Sequence, residues 1–219
     1  MRPLIFHLAD NSMVEGLKAF FQKDNWYYAL GCHRFDIDAV GDTDFLKIPG
    51  GNDQVVWKSA GENLATFSES HERAIVILDE WFDPWPGAAE IKIDITADLV
   101  NYGWQPERIE IIVIQPMLES WLWMESDHVA KAFGWPSYVE LREQLVAEGL
   151  WAAGAPKPHA LKEARNRAAR LGKTRSGRII FRNVFRAVSS RSLNRCEEPG
   201  FMAMRSALQT WFPVEGAPS

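Results

Sequence analysis

The amino-acid sequence predicts an α/β fold: a mainly parallel sheet of about four strands flanked by helices, with a basic helical stretch at the C-terminal end. Three observations carry this. Residues 74–78 are a continuous apolar run and 109–114 are apolar except for Glu110, the pattern of strands buried on both faces. Segments with helical spacing alternate with these runs, as in parallel sheets covered by helices. The charge is also divided. Between residues 157 and 205 stand 13 Lys/Arg against three acids, whereas the preceding part carries 11 Lys/Arg against 25 Asp/Glu.

Each element follows from local signals. Residues 4–8 are a short apolar run between Pro3 and Asp10 and read as the first strand. Ser12 with Glu15 three residues on forms a capping box, opening a helix with Val14, Leu17, Phe20 and Phe21 on its apolar side. The aromatic run at residues 26–30 predicts a second strand, broken by Gly31. A polar, Gly-rich loop covers residues 36–53, and residues 55–67 are helical. Residues 73–79 form the third strand, followed by a Pro-rich loop to Gly87 and a helix over residues 88–101 stopped by Gly103. After the fourth strand, Pro116 opens a helix reaching residue 133. A further helix spans residues 136–151, and an Ala/Gly/Pro stretch at 152–158 reads as a linker. Basic helices follow at residues 161–171, 176–188 and 199–211. The predicted division is an α/β domain over 1–151 and a basic helical extension over 157–213, packed on or beside it.

The bulk composition narrows the function classes. With 47% hydrophobic and 24% charged residues among 219, the chain can bury one substantial core. Its apolar runs are too short to span a bilayer, and the N-terminal stretch ends at Asp10, a poor signal peptide. Cys32 and Cys196 form neither a CxxC pair nor a disulfide framework. A reducing, cytoplasmic setting without a membrane is the expectation.

In open parallel sheets, ligands sit beyond the carboxyl ends of the strands. On this reading Asp10 ends strand one, Asp36 and Asp38 follow strand two, Asp79 ends strand three with Asp83 in its loop, and Glu119 lies just after strand four. Carboxylates converging there can hold Mg²⁺, which prefers oxygen ligands, and a metal so placed can activate water or stabilise a leaving group. The candidate catalytic residues are Glu119, Asp79 and Asp10, and the candidate Mg²⁺ ligands are Asp79, Asp83 and Glu119. Helix capping and solvated loops also place acids at such positions, so the set, not any one residue, carries the reading.

The basic part offers a second surface. Arg178, Arg182 and Arg186 recur every four residues, with Arg175 one turn earlier and Arg191 beyond. Like charges at that spacing repel, and a DNA or RNA backbone would offset the repulsion. A protein partner, or docking on the chain's own acidic half, would do the same. Other signals fall away. Gly172-Lys173-Thr174 lacks the earlier glycine of a phosphate-binding loop, since Arg167 stands there. Cys32-His33 has no second pair to make a zinc site. Trp81 and Trp85 are placed to stack a base or to pack over their loop.

The segments Leu8-Ala9-Asp10-Asn11-Ser12-Met13-Val14-Glu15-Gly16, Gly31-Cys32-His33-Arg34-Phe35-Asp36, Ile77-Leu78-Asp79 and Gln115-Pro116-Met117-Leu118-Glu119-Ser120-Trp121 resemble the small protein of bacterial methylation-associated defence systems. Pro156-Lys157-Pro158, Lys162-Glu163-Ala164, Cys196 with Pro199 and Phe201, and Trp211-Phe212-Pro213 extend the resemblance over most of the chain. It implies an antiviral role beside other proteins of the defence system. More distantly, Pro116-Met117-Leu118-Glu119-Ser120-Trp121 is similar to an acidic segment of Toprim-like domains. That likeness implies action on, or binding to, nucleic acid, with Mg²⁺-dependent nuclease chemistry as one form. Two elements depart from the Toprim pattern: Ala9 stands where the first Glu falls, with Asp10 beside it, and the DxD position reads Asp79-Glu80-Trp81. A non-catalytic adaptor that assembles defence components is the alternative, and a small-molecule or nucleotide binder is a third.

Overall fold

The structure is a computed structural model, and it describes residues 1–80 and 86–214. Among these, four strands form one all-parallel sheet in the order β2-β1-β3-β4. β1 is Arg2–Leu8, β2 Phe45–Leu46, β3 His71–Asp79 and β4 Ile109–Ile114. The register pairs Leu8 with Ile77 and Asp79 with Ile114, so the ends of β1, β3 and β4 lie along one edge.

Helix α1 (Asn11–Phe21) starts immediately after that edge. Its cap is Asp10, whose Oδ1 accepts from the backbone N–H of Ser12 at 2.5 Å and of Met13 at 2.9 Å. The expected Ser12–Glu15 box is therefore absent: the cap falls two residues earlier, and Glu15 binds Arg182 instead. Residues 26–30 are also corrected. They form a short helix, α2 (Trp26–Leu30), not a strand. Trp26, Ala29 and Leu30 are buried at helical spacing, and Gly31 closes the turn at φ 71°. The second strand is instead β2, inside the loop that the sequence marks as polar.

The two faces of the sheet take different helices. Phe6 meets Phe21 of α1 with ring centroids 5.5 Å apart, while its neighbour His7 points the other way and contacts Asn63 of α3 (Asp53–Leu64). α4 (Ala88–Asn101) packs beside α3. The approach is close at Gly61, where a Cβ would come 2.6 Å from the Asp98 carbonyl oxygen.

The region expected to be one helix over residues 117–133 is broken. A 3₁₀ turn covers Leu118–Leu122, and α5 (Asp127–Ala132) starts anew with Ser126 as its cap. After α6 (Tyr138–Ala147) come α7 (Leu161–Leu171), α8 (Arg178–Ala187), α9 (Ser190–Leu193) and α10 (Pro199–Trp211). α8 buries Ile180, Phe181, Val184 and Phe185. It lies along α1, where the absent side chain of Gly16 makes room: a Cβ there would be 3.2 Å from the Phe185 ring. Glu15 faces Arg182, and Lys23 reaches the Val188 carbonyl, so α8 runs parallel to α1. α10 seats Gly200 against Ile112 and Ile114 of β4. One continuous apolar core joins residues from Leu4 to Leu208. Among the described residues, no helix is long and apolar enough to cross a membrane.

Candidate functional site

Three elements converge on Asp79, the last residue of β3, which is 9% exposed. Its backbone N–H donates to Asp53 Oδ1 at 2.7 Å, tying the strand end to the first turn of α3. Its own Oδ1 accepts from the Leu118 N–H at 2.9 Å, tying it to the 3₁₀ turn after β4. A rigid strand end, a helix start and a tight turn thus fix this carboxyl group from three sides.

Burial drives the Asp79 carboxyl well above the usual carboxylate range, and the charges of Asp53, Asp10 and Glu119 push it further the same way. Asp53 is raised too, first by burial, with Asp10 adding to the rise and Lys162 of α7 opposing it. Four carboxyl groups therefore share one neighbourhood at the carboxyl edge. Glu119, 5% exposed, takes Arg165 of α7 as its partner, with Nη1 to Oε1 at 2.6 Å. The Arg165 guanidinium also lies 5.7 Å from the Phe181 ring of α8, so the turn, α7 and α8 meet around it.

Of the acids singled out by sequence, Asp10, Asp79 and Glu119 are brought to this edge. Asp36 and Asp38 are not. With residues 26–30 helical, both fall in the loop before β2, at the opposite end of β1. Asp36 pairs with Arg2 at 3.5 Å, and the Asp38 side chain accepts from the Gly41 N–H and the Thr43 hydroxyl. Asp83, Trp81 and Trp85 lie outside the described residues. Asp53 was missed by sequence reasoning. Its signal is Asn52-Asp53 at the start of a helix, where Asn52 accepts from the Val55 N–H as the cap.

The arginines divide. Arg182 binds Glu15 through Nε at 2.8 Å and Nη2 at 2.5 Å. Arg186 reaches Gln22 at 3.5 Å. Arg175, Arg178 and Arg191 are exposed. Because α8 runs parallel to α1, its first residue Arg178 lies toward the carboxyl edge. Arg191 lies beyond the far end of α8, a helix about 15 Å long, and does not share that edge.

A carboxyl group held protonated above its usual range can give or take a proton, or yield it to an arriving cation. Among the described residues, however, no three His, Cys, Asp or Glu side chains are grouped so as to hold a metal ion. The expected Mg²⁺ set includes Asp83, outside those residues, while Asp79 and Glu119 are engaged with Leu118 and Arg165. The cations that face the cluster are the chain's own Arg165 and Lys162. A scan of protein-family models finds no match, and searches of curated proteins and of solved structures find none either.

Proposed function

We propose that this chain is a Toprim-like component of a bacterial anti-phage defence system that binds nucleic acid along the carboxyl edge of its sheet. The supporting observation is the buried pair Asp79 and Glu119, with half-buried Asp53 and Asp10 close enough to act on Asp79 and with Arg165 and Lys162 of α7 facing them, while exposed Arg178 of α8 lies toward the same edge. Basic side chains there would track phosphates, while the raised Asp79 would stand ready for proton transfer at the backbone. The resemblance along most of the chain supplies the defence role.

A second reading, the non-catalytic adaptor, is favoured by the internal pairing of Glu119 with Arg165 and of Arg182 with Glu15. Binding of labelled single- and double-stranded DNA and RNA over a salt series separates the two. The proposal expects binding that weakens linearly with the logarithm of salt, and loss of affinity on Lys162→Ala or Arg178→Ala. Absence of salt-sensitive binding would favour the adaptor. Incubation with Mg²⁺ or Mn²⁺ tests for cleavage, and cleavage that persists in Asp79→Asn and Glu119→Gln would remove this edge as its site.

A further inference from the structure

The sheet ends in β2 on one side, two residues long, and in β4 on the other, six residues long. The Glu80 N–H donates to the Ile114 carbonyl at 2.9 Å, so the backbone groups of Ile114 face β3. By the alternation of a parallel ladder, those of Glu110 and Ile112 do the same, and those of Ile109, Ile111 and Val113 turn outward. Exposure follows this alternation: Ile112 and Ile114 are 0% exposed, whereas Ile109, Ile111 and Val113 are 9%, 4% and 7%. The Ile109 N–H is spent on the Pro106 carbonyl. The Ile109 C=O and both backbone groups of Ile111 and Val113 have no hydrogen-bond partner among the described residues. A bare strand edge is a template for pairing with another strand. β4 has no proline to block this, and its one charged residue is Glu110.

α4 stands over the same edge. Its Lys92 lies 4.0 Å from Glu110 of β4, while Asp94, on its opposite flank, accepts from Trp57 Nε1 of α3 at 2.9 Å. At 100° per residue, Ala89, Ile93, Thr96 and Val100 fall between Lys92 and the outermost line of the helix, away from buried Ile91, Ile95 and Leu99. None of the four is charged, and Ile93 and Val100 are 68% and 41% exposed. A foreign peptide added as a strand would cover β4 and leave this helix face in water. A second copy, turned about a two-fold axis at Ile111, covers both. β4 then meets its copy antiparallel: the two Ile111 residues exchange N–H and C=O, and each Val113 N–H meets the Ile109 C=O of the other copy. The two α4 helices come side by side through Ile93 and Val100. Charge permits the approach, because Lys92 and Glu110 are of opposite sign, and their half-exposed pair does not lock the edge. Strand and helix each run about 20 Å. Together they offer on the order of 600 Å² per subunit, the lower end of specific interfaces. We propose that this chain forms a two-fold dimer through β4 and α4, joining two sheets into one of eight strands and pointing the two carboxyl edges in opposite directions.

Sedimentation velocity of the full chain over a micromolar concentration series tests this without nucleic acid. The proposal expects a monomer–dimer equilibrium and no larger species, since a two-fold interface closes on itself. Amide exchange followed by NMR should slow at Ile111 and Val113 as the dimer forms, and change little at Glu110 and Ile112, which are already bonded within the sheet. Ile93→Glu/Val100→Glu alters two exposed side chains, so the dilute variant should melt as wild type does. Like charges brought together across the two-fold should weaken its dimer roughly 100-fold or more. Should that variant fail to fold, Ala89→Glu on the same exposed face must still weaken the dimer. The proposal is overturned if the chain stays monomeric throughout the series or grows into open-ended assemblies. It is equally overturned if the dimer is unchanged in the variants that fold, or if exchange at Ile111 and Val113 does not depend on concentration.

Discussion

Replacing Asp79 by asparagine should stabilise this protein at neutral pH. The Leu118 N–H donates to Asp79 Oδ1 at 2.9 Å, and an asparagine oxygen can accept the same bond. What the substitution removes is a charge that burial opposes and that Asp53, Asp10 and Glu119 oppose further. A buried charge left without full compensation costs on the order of 1–3 kcal/mol. At about 2–4 °C per kcal/mol for a chain of this size, the melting temperature should rise by about 2–12 °C. The pH dependence has a definite sign. The folded carboxyl binds its proton at higher pH than the unfolded one, so wild-type stability falls as pH rises from the ordinary value of 3.8 through the raised folded value. The gain in Asp79→Asn is therefore complete above that window and fades as the pH falls toward its lower end. Calorimetric melts of both proteins at neutral and acidic pH measure this. A variant that melts below wild type at neutral pH, or whose gain does not change with pH, would refute the reasoning.

Other consequences are as direct. Arg165→Met strands the Glu119 carboxylate without its partner and should cost about 3–5 kcal/mol in urea unfolding; adding Glu119→Gln should restore most of it. Arg178→Ala should lower nucleic-acid affinity and flatten the salt slope by about one unit. Arg182→Ala, which loses its bond to Glu15, should instead cost up to about 1 kcal/mol of stability and leave the slope alone. Gly172→Ala would place a Cβ 1.9 Å from the Phe133 carbonyl oxygen. Its melting should shift down by the equivalent of about 1–3 kcal/mol, and an unshifted melt would mean that α7 does not close on that turn.

Much of the fold is legible because its main elements carry strong one-dimensional signals. β4 and α7 begin and end where the apolar run and the helical spacing place them. The misreading at residues 26–30 has a physical source. Trp-Tyr-Tyr-Ala-Leu favours a strand by propensity, but Gly31 in the left-handed region and the burial of Trp26, Ala29 and Leu30 at helical spacing decide for a helix. β2 is two residues long, too short for any periodicity. It is held beside β1 partly by Asp44, fully buried, whose carboxylate binds Arg2 and His71. That error carried Asp36 and Asp38 to the wrong end of the sheet. At the site, Asp79 and Glu119 could be found because each follows a recognisable strand. Asp53 shows only a helix-start signal, Asn52-Asp53, and its place in the cluster comes from the packing of α3 against β3, which local sequence does not encode. Asp10 shows the two roles merging: it caps α1 and adds its charge to the cluster.

The central claim is that nucleic acid lies along the carboxyl edge. Ultraviolet cross-linking of the bound complex, with the attachment sites read by peptide mass spectrometry, tests it most directly. The account predicts attachment in the peptides carrying Lys162, Arg165 and Arg178. Attachment confined to the opposite edge, around Arg2, Arg73 and Arg108, would contradict it.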